Sequence, residues 1–152
     1  MSETSKLIGH QTLFSNLIYL DQIQKFPNKI LINGPKGIGK KTLINHFLNY
    51  FYSKNYDKTY DLRNNEFKLN NNLSKLISSN THPNIFKITK KKDKKIIDID
   101  QIREMIQFVN QTSFNNDRRF IIIEDINLLG INSANALLKS IEEPNNKTFY
   151  IL

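Results

Sequence analysis

The stretch KILINGPKGIGKKTL, residues 29–43, decides the fold of this 152-residue chain. Its first part, KILIN at 29–33, is short and β-branched, and Gly34 ends it, so it predicts a buried strand. A helix over 42–52 is predicted by apolar residues at helical spacing, namely Leu43, Ile44, Phe47, Leu48 and Phe51. A strand, a glycine-rich loop and a helix in this order are the setting of a phosphate-binding loop.

The loop follows the form G-x-x-x-x-G-K-[ST] at Gly34, Gly39 and Lys40, but it departs at the next position. Lys41 stands where a serine or threonine hydroxyl would hold magnesium, and it adds positive charge there. Thr42 follows, about 100° further round the helix, and is poorly placed to replace that hydroxyl. We therefore expect nucleotide binding with a weakened dependence on magnesium, and poor hydrolysis.

Apart from the metal-binding hydroxyl, the loop has the groups that phosphate binding needs. Backbone N–H groups around Gly37 and Gly39 can form a nest at the positive end of the following helix, and Lys40 would reach the β and γ phosphates of ATP. ATP is the cofactor that such a loop takes, whereas firm Mg²⁺ binding is not expected. The alternative is a turn that holds no ligand. The candidate nucleotide-binding residues are Gly34, Gly37, Gly39, Lys40, Lys41 and Thr42.

An acidic pair, Glu124 and Asp125, follows the predicted strand FIII at 120–123. Magnesium-dependent phosphoryl transfer needs a carboxylate at the tip of such a strand and another beside it to position water. Here the usual order of aspartate then glutamate is reversed, which lengthens the metal ligand and shortens the base, and reaction geometry tolerates such shifts badly. We treat both as degenerate catalytic positions and assign no catalytic residue. The alternative is that they simply end the strand.

Strands and helices alternate along the rest of the chain. The other predicted strands are 84–89 and 148–152. The other predicted helices are 11–24, one capped by Asp100 and running to Val109, and one from about Ser133 to just before Pro144 that buries Leu137, Leu138 and Ile141. The alternation predicts an α/β fold, a three-layer parallel sheet with helices on both faces, truncated after the fourth core strand. Together with the glycine loop, this order is typical of a P-loop NTPase fold.

Residues 53–80 break this alternation, because they are polar and asparagine-rich. They predict an excursion from the core, with one short helical patch at Leu73, Leu76 and Ile77. The whole chain, residues 1–152, is expected to be one domain. Because it ends on an apolar strand, we expect this domain to be an incomplete part of a longer protein.

Composition limits the partners and the metals. The net charge of +8 favours a polyanionic partner such as nucleic acid. An AT-rich coding sequence, which favours lysine codons, would give the same charge. The lysine run KKKDKK at 90–95, which we group with Lys87, either tracks a phosphate backbone or is a solvated loop, and Arg118 and Arg119 are equally ambiguous. No cysteine is present and the three histidines are far apart, so no zinc or other metal site is expected. The absence of a long apolar run predicts a soluble, cytoplasmic protein without a membrane partner.

Four stretches together resemble one family: KLIGHQ, ILINGPKGIGKKTL, IIDIDQIREMIQF and SANALLKSIEEPNNKTFYIL. They are similar to the delta-prime subunits of the bacterial DNA polymerase III clamp loader, within the AAA+ superfamily. The ATP-hydrolysing tau and gamma subunits share the last stretch, but they keep the hydroxyl that Lys41 replaces, the order that Glu124 and Asp125 reverse, and cysteines for zinc. The resemblance therefore favours a delta-prime type over a motor.

This resemblance implies a DNA replication protein that helps to load the sliding clamp on primed DNA, with a mainly structural role. Its expected partners are the gamma/tau and delta subunits, the clamp and primer-template DNA. It also implies a lid domain, a C-terminal collar and an arginine finger beyond Leu152, and it makes Arg103 and Lys139 candidate DNA contacts. Two alternatives stay open, an active ATP-hydrolysing motor subunit and a basic nucleic-acid-binding module.

Overall fold

The structure, a computed structural model, describes residues 4–55, 59–143 and 147–152. Its strands are, in chain order, β1 (Thr4–Lys6), β2 (Lys29–Ile30), β3 (Tyr60–Asp61), β4 (Glu66–Lys68), β5 (Ile85–Ile88), β6 (Arg119–Ile123) and β7 (Thr148–Ile151). Its α-helices are α1 (Gln11–Gln22), α2 (Lys40–Ser53), α3 (Asn72–Ser78), α4 (Ile99–Asn110) and α5 (Ile131–Glu142). These elements fall into two compact units.

One unit, Pro27–Ile32 with Pro83–Leu152, holds the main sheet. Its four strands are parallel and lie in the order β2-β7-β6-β5. Every residue of β6 and β7 is buried, as near-continuous apolar runs predict for a parallel sheet. The prediction of an α/β fold with a parallel sheet is confirmed, and each of the four predicted segments supplies a strand. The prediction of a buried strand over 29–33 is wrong in extent and burial, because β2 covers only Lys29–Ile30 at the edge of the sheet and Leu31 is 68% exposed.

The core of this unit lies between the sheet and helices α4 and α5. Its buried members are Ile88, Ile97, Ile102, Met105, Val109, Ile121, Ile123, Leu137 and Tyr150. The α4 residues among them recur at i, i+3 and i+7, so one stripe of that helix packs onto the strands. This packing fixes the carboxyl ends of β5 and β6, where the acidic pair begins.

Two helix details differ from the sequence prediction. Asp98 is the N-cap of α4, and its backbone N–H donates to Gln101 Oε1 at 3.3 Å, whereas Asp100, the predicted cap, lies in the first turn. Leu138 is 52% exposed although the sequence predicted it buried, because its neighbour Leu137 faces the core and adjacent helical residues point about 100° apart. The predicted end of the last helix before Pro144 is confirmed, because α5 ends at Glu142.

The other unit, Met1–Phe26 with Asn33–His82, contains α1, α2, α3 and a small antiparallel sheet in the order β1-β4-β3. Residues 53–80, predicted as an excursion with a single helical patch, supply β3, β4 and α3. Leu73 and Ile77 of that patch are buried, whereas Leu76 is exposed. The strands escaped the sequence prediction because they are two and three residues long.

Candidate functional site

The glycine loop joins Asn33 to the start of α2, as predicted. Gly37 has a φ of +86° and Gly39, the N-cap of α2, has a φ of +99°. Both values lie in the left-handed region, where a side chain would be strained, so glycine is required there. The Gly34 N–H donates to Asn33 Oδ1 at 2.9 Å, which holds the entry to the loop.

Lys40, the first residue of α2, folds back over its own loop. Its ammonium donates to the carbonyl oxygen of Gly34 and, at 3.2 Å, to that of Pro35. The cation that the sequence assigned to phosphates is therefore bonded to backbone oxygens of the loop.

A residue that sequence reasoning missed, His10, also contacts the loop. Its Nε2 lies 2.6 Å from the carbonyl oxygen of Ile38, and because a carbonyl only accepts, Nε2–H is the donor. The imidazole also lies close to Gly39, since a Cβ built there would be 3.5 Å from Nε2. No spacing in the sequence signals this contact, which joins residues 28 positions apart.

Thr42, the nearest hydroxyl to the position of Lys41, is exposed and lines a cavity of about 150 Å³. The same stripe of α2 supplies Asn45, His46 and Asn49 to this cavity, and α3 supplies Ser74. The Thr42 side chain is thus on the stripe of α2 that packs toward α3 and the small sheet.

His46 links α2 to every strand of the small sheet. Its Nδ1 pairs with the Tyr60 hydroxyl of β3 at 2.8 Å, its Nε2 with Ser5 Oγ of β1 at 3.3 Å, and its ring packs on Phe67 of β4. Burial lowers the pKa of His46 to about 4 and raises the pKa of Tyr60. The imidazole is therefore neutral at pH 7 and has a structural role.

The acidic pair follows β6, and its first member is already ion-paired. Lys87 Nζ of β5 lies 2.9 Å from Glu124 Oε1, with the two side chains only 23% and 16% exposed. Asp125 has a left-handed φ of +56° and its carbonyl accepts from the Leu128 N–H at 2.8 Å, which opens a 3₁₀ turn. Among the described residues no cluster of three or more histidine, cysteine or acidic residues could hold a metal ion.

Lys87 therefore does not share the environment of the lysine run with which the sequence grouped it. The run is a loop whose Lys90 ammonium donates to the carbonyl oxygens of Lys91 at 3.3 Å and Lys94 at 2.9 Å. Lys91 to Lys95 are exposed. The loop is basic, and its binding to nucleic acid stays a prediction.

Arg119, an ambiguous candidate for nucleic-acid contact, is buried with only 2% exposed. Its guanidinium donates to the carbonyl oxygens of Phe108, Val109 and Gln111 at 2.6 to 2.8 Å. These oxygens lie at the end of α4, where carbonyls lack helical partners. Arg119 thus caps a helix rather than facing a polyanion.

The two candidate DNA contacts lie in different surroundings. Arg103 pairs with Asp100 at 3.0 Å on an exposed face of α4. Lys139 lines an open groove of about 650 Å³ between α4 and α5, together with Asn110, Asn132 and Asn135. Arg103 is not among the described residues that line this groove, so the structure does not bring the pair together.

Comparison with known proteins places these features in context. A family model described as "DNA polymerase III, delta subunit" matches residues 9–152. The DNA polymerase III subunit delta' of Pseudomonas aeruginosa is 33% identical over 122 residues, 80% of this chain and 35% of that protein. The subunit delta' of Buchnera aphidicola subsp. Acyrthosiphon pisum is 29% identical over 139 residues, 91% of this chain and 40% of that protein. The chain thus spans well under half the length of these relatives.

A solved structure supports the fold. A DNA polymerase III gamma subunit-related protein from Thermotoga maritima superposes with a TM-score of 0.59 at 22% identity, covering 90% of this chain and 38% of that one. At this identity the likeness shows the fold alone. No helix among the described residues is long and apolar enough to cross a membrane.

Proposed function

Because the chain belongs to the family described as DNA polymerase III, delta subunit, we propose that it is part of a clamp-loader subunit of the delta-prime type that acts in DNA replication. Its role is structural: it supports neighbouring subunits that hydrolyse ATP to load the sliding clamp on primed DNA. The relatives named subunit delta' and the shared fold support this assignment.

The observation that carries the structural role is Lys41, in the place of the magnesium-binding hydroxyl. Two contacts point the same way, each within its own unit. The Lys40 ammonium is bonded to loop carbonyls, and the Glu124 carboxylate is paired with Lys87. A nucleotide in the loop would compete with the first contact for the Lys40 ammonium, and a metal at Glu124 would compete with Lys87 for the carboxylate.

The proposed partners follow from the same assignment. They are the gamma/tau and delta subunits, the sliding clamp, and primer-template DNA met through the assembled complex, all in the cytoplasm. Lys139, with the amide side chains beside it in the groove between α4 and α5, is the candidate for a phosphate contact. ATP is the ligand to test at the loop.

The test is an ATP titration with and without Mg²⁺ on the wild-type chain and on Lys41→Thr, with Lys41→Ala as the matched control. The alanine variant removes the charge without supplying a hydroxyl. We expect Mg²⁺ to change the wild-type affinity by less than about threefold, because no hydroxyl is present to hold the metal. Lys41→Thr is expected to bind more tightly with Mg²⁺ than Lys41→Ala does.

Strong Mg²⁺-dependent binding by the wild-type chain would contradict the structural role and favour an ATPase motor. Equal Mg²⁺ responses in Lys41→Thr and Lys41→Ala would show that the missing hydroxyl is not the defect.

A further inference from the structure

His10 has three features that are unusual together. It is the N-cap of α1, yet its side chain makes no capping hydrogen bond to that helix. Its backbone is left-handed, with φ +58°, a conformation that costs free energy for a residue with a side chain. Its imidazole instead crosses to the glycine loop and donates to the Ile38 carbonyl at 2.6 Å.

The strained backbone and the hydrogen bond are connected. Gly9, with φ +78°, and His10 are consecutive left-handed residues, and they bring the ring against Gly39. An N-cap position favours Ser, Thr, Asp or Asn, whose side chains satisfy helix N–H groups. His10 gives up that bond, and the contact that replaces it is the one to Ile38.

Two side chains of this chain thus donate hydrogen bonds to backbone carbonyls of the loop. Lys40 bonds the carbonyls of Gly34 and Pro35, and His10 bonds that of Ile38. In a working phosphate loop, a bound nucleotide supplies much of the order through the backbone N–H groups and the lysine. In this chain, the side chains of His10 and Lys40 instead donate hydrogen bonds to carbonyl oxygens of the loop.

We propose that His10 is a positioning residue that latches the glycine loop, Gly34 to Lys40, in its folded conformation without a nucleotide. The latch rests on the proposed structural role, which requires a loop that keeps its shape while neighbouring subunits turn over. It gives the KLIGHQ stretch a function, namely to present a donor to Ile38.

The first test is NMR on the ¹⁵N-labelled wild-type chain. Nitrogen shifts and long-range couplings of the imidazole report which nitrogen carries the proton. We expect the His10 imidazole to carry a proton on Nε2, because the Ile38 carbonyl that this nitrogen faces can only accept. An imidazole that carries its proton on Nδ1 alone would overturn the latch without any variant.

The second test compares amide hydrogen exchange across residues 36–41 in His10→Asn and His10→Gln. Asparagine tolerates the left-handed backbone but is too short to reach Ile38, so it removes the latch and preserves the turn. Glutamine places an amide N–H near the position of Nε2. We expect exchange to rise about fivefold in His10→Asn, the effect of losing one net hydrogen bond, and to return toward the wild-type rate in His10→Gln.

Unchanged loop exchange in His10→Asn, or equal exchange in the two variants, would contradict the latch. Circular dichroism of both variants is the control that checks that they are folded. Neither measurement involves ATP, so their failure leaves the proposed function standing. Turnover of ATP would instead contradict the proposed function and leave the latch to be judged on exchange alone.

Discussion

Lys40 of the glycine loop and Glu124 of the acidic pair, two positions on which ATP chemistry would depend, each contact a partner within their own compact unit. Lys40 bonds two backbone carbonyls, and Glu124 pairs with Lys87. A new ligand at either group would compete with, or bind beside, the partner already present. At the scale of single residues, both positions therefore already have a partner within the chain.

The Lys87–Glu124 pair can be measured by a double-mutant cycle. Lys87→Met removes the ammonium that pairs with the mostly buried Glu124 carboxylate, so we expect a loss of about 1–3 kcal/mol in the free energy of unfolding. The double variant Lys87→Met/Glu124→Gln removes both charges and should recover part of that loss, with a coupling free energy of about 1 kcal/mol. Urea unfolding of the four chains gives these values, and strict additivity would show that the pair contributes nothing.

His46 predicts a specific pH dependence of stability. Its pKa is lowered by burial from 6.5 to about 4, so the unfolded chain binds the proton more tightly than the folded chain does. The stability that His46 contributes is full above pH 6.5 and falls as the pH drops toward 4, by at most about 3 kcal/mol.

The matched control for this prediction is His46→Gln, which hydrogen-bonds but does not titrate. Urea unfolding at pH 7 and pH 4.5 should show a smaller loss of unfolding free energy in this variant than in wild type. The carboxylates lose the same stability in both proteins, whereas only wild type has the His46 imidazole to protonate. Equal losses would mean that His46 does not titrate as its burial requires.

At the scale of elements, Arg119 of β6 caps the end of α4 and so fixes a helix relative to its own sheet. We expect Arg119→Met to lower the free energy of unfolding by about 2–4 kcal/mol, because three carbonyl oxygens lose a charged donor. Arg103→Ala is the control, since its pair with Asp100 is exposed and is worth about 0–1 kcal/mol. Comparable losses in the two variants, measured by thermal or urea unfolding, would contradict the capping role.

The sequence predicts elements well where an apolar period runs for several residues. The parallel strands and helices α1, α2, α4 and α5 follow from such runs, although the cap of α4 is Asp98 rather than Asp100. Strands β1, β3 and β4 have two or three residues each and carry no period to detect. Rings of α1 and α2 pack on β3 and β4, as Phe14 and His46 do on Tyr60 and His46 does on Phe67.

At the scale of the whole molecule, the candidate site could be predicted only in part. The glycine loop and the acidic pair are local patterns, so the sequence locates them. The partners that constrain them, His10 for the loop and Lys87 for Glu124, come from 28 and 37 positions away, and only the fold brings them near. The proposed loss of ATPase chemistry rests on Lys41, which the sequence shows directly, whereas the contacts proposed to hold the loop appear only in the fold.

The most direct test of the structural role is the rate of ATP turnover by the purified chain at saturating ATP and Mg²⁺, with Lys40→Ala as the blank. The account predicts no turnover above that blank. A rate near one per second, the low end for ordinary enzymes, abolished by Lys40→Ala, would contradict it and identify a motor subunit.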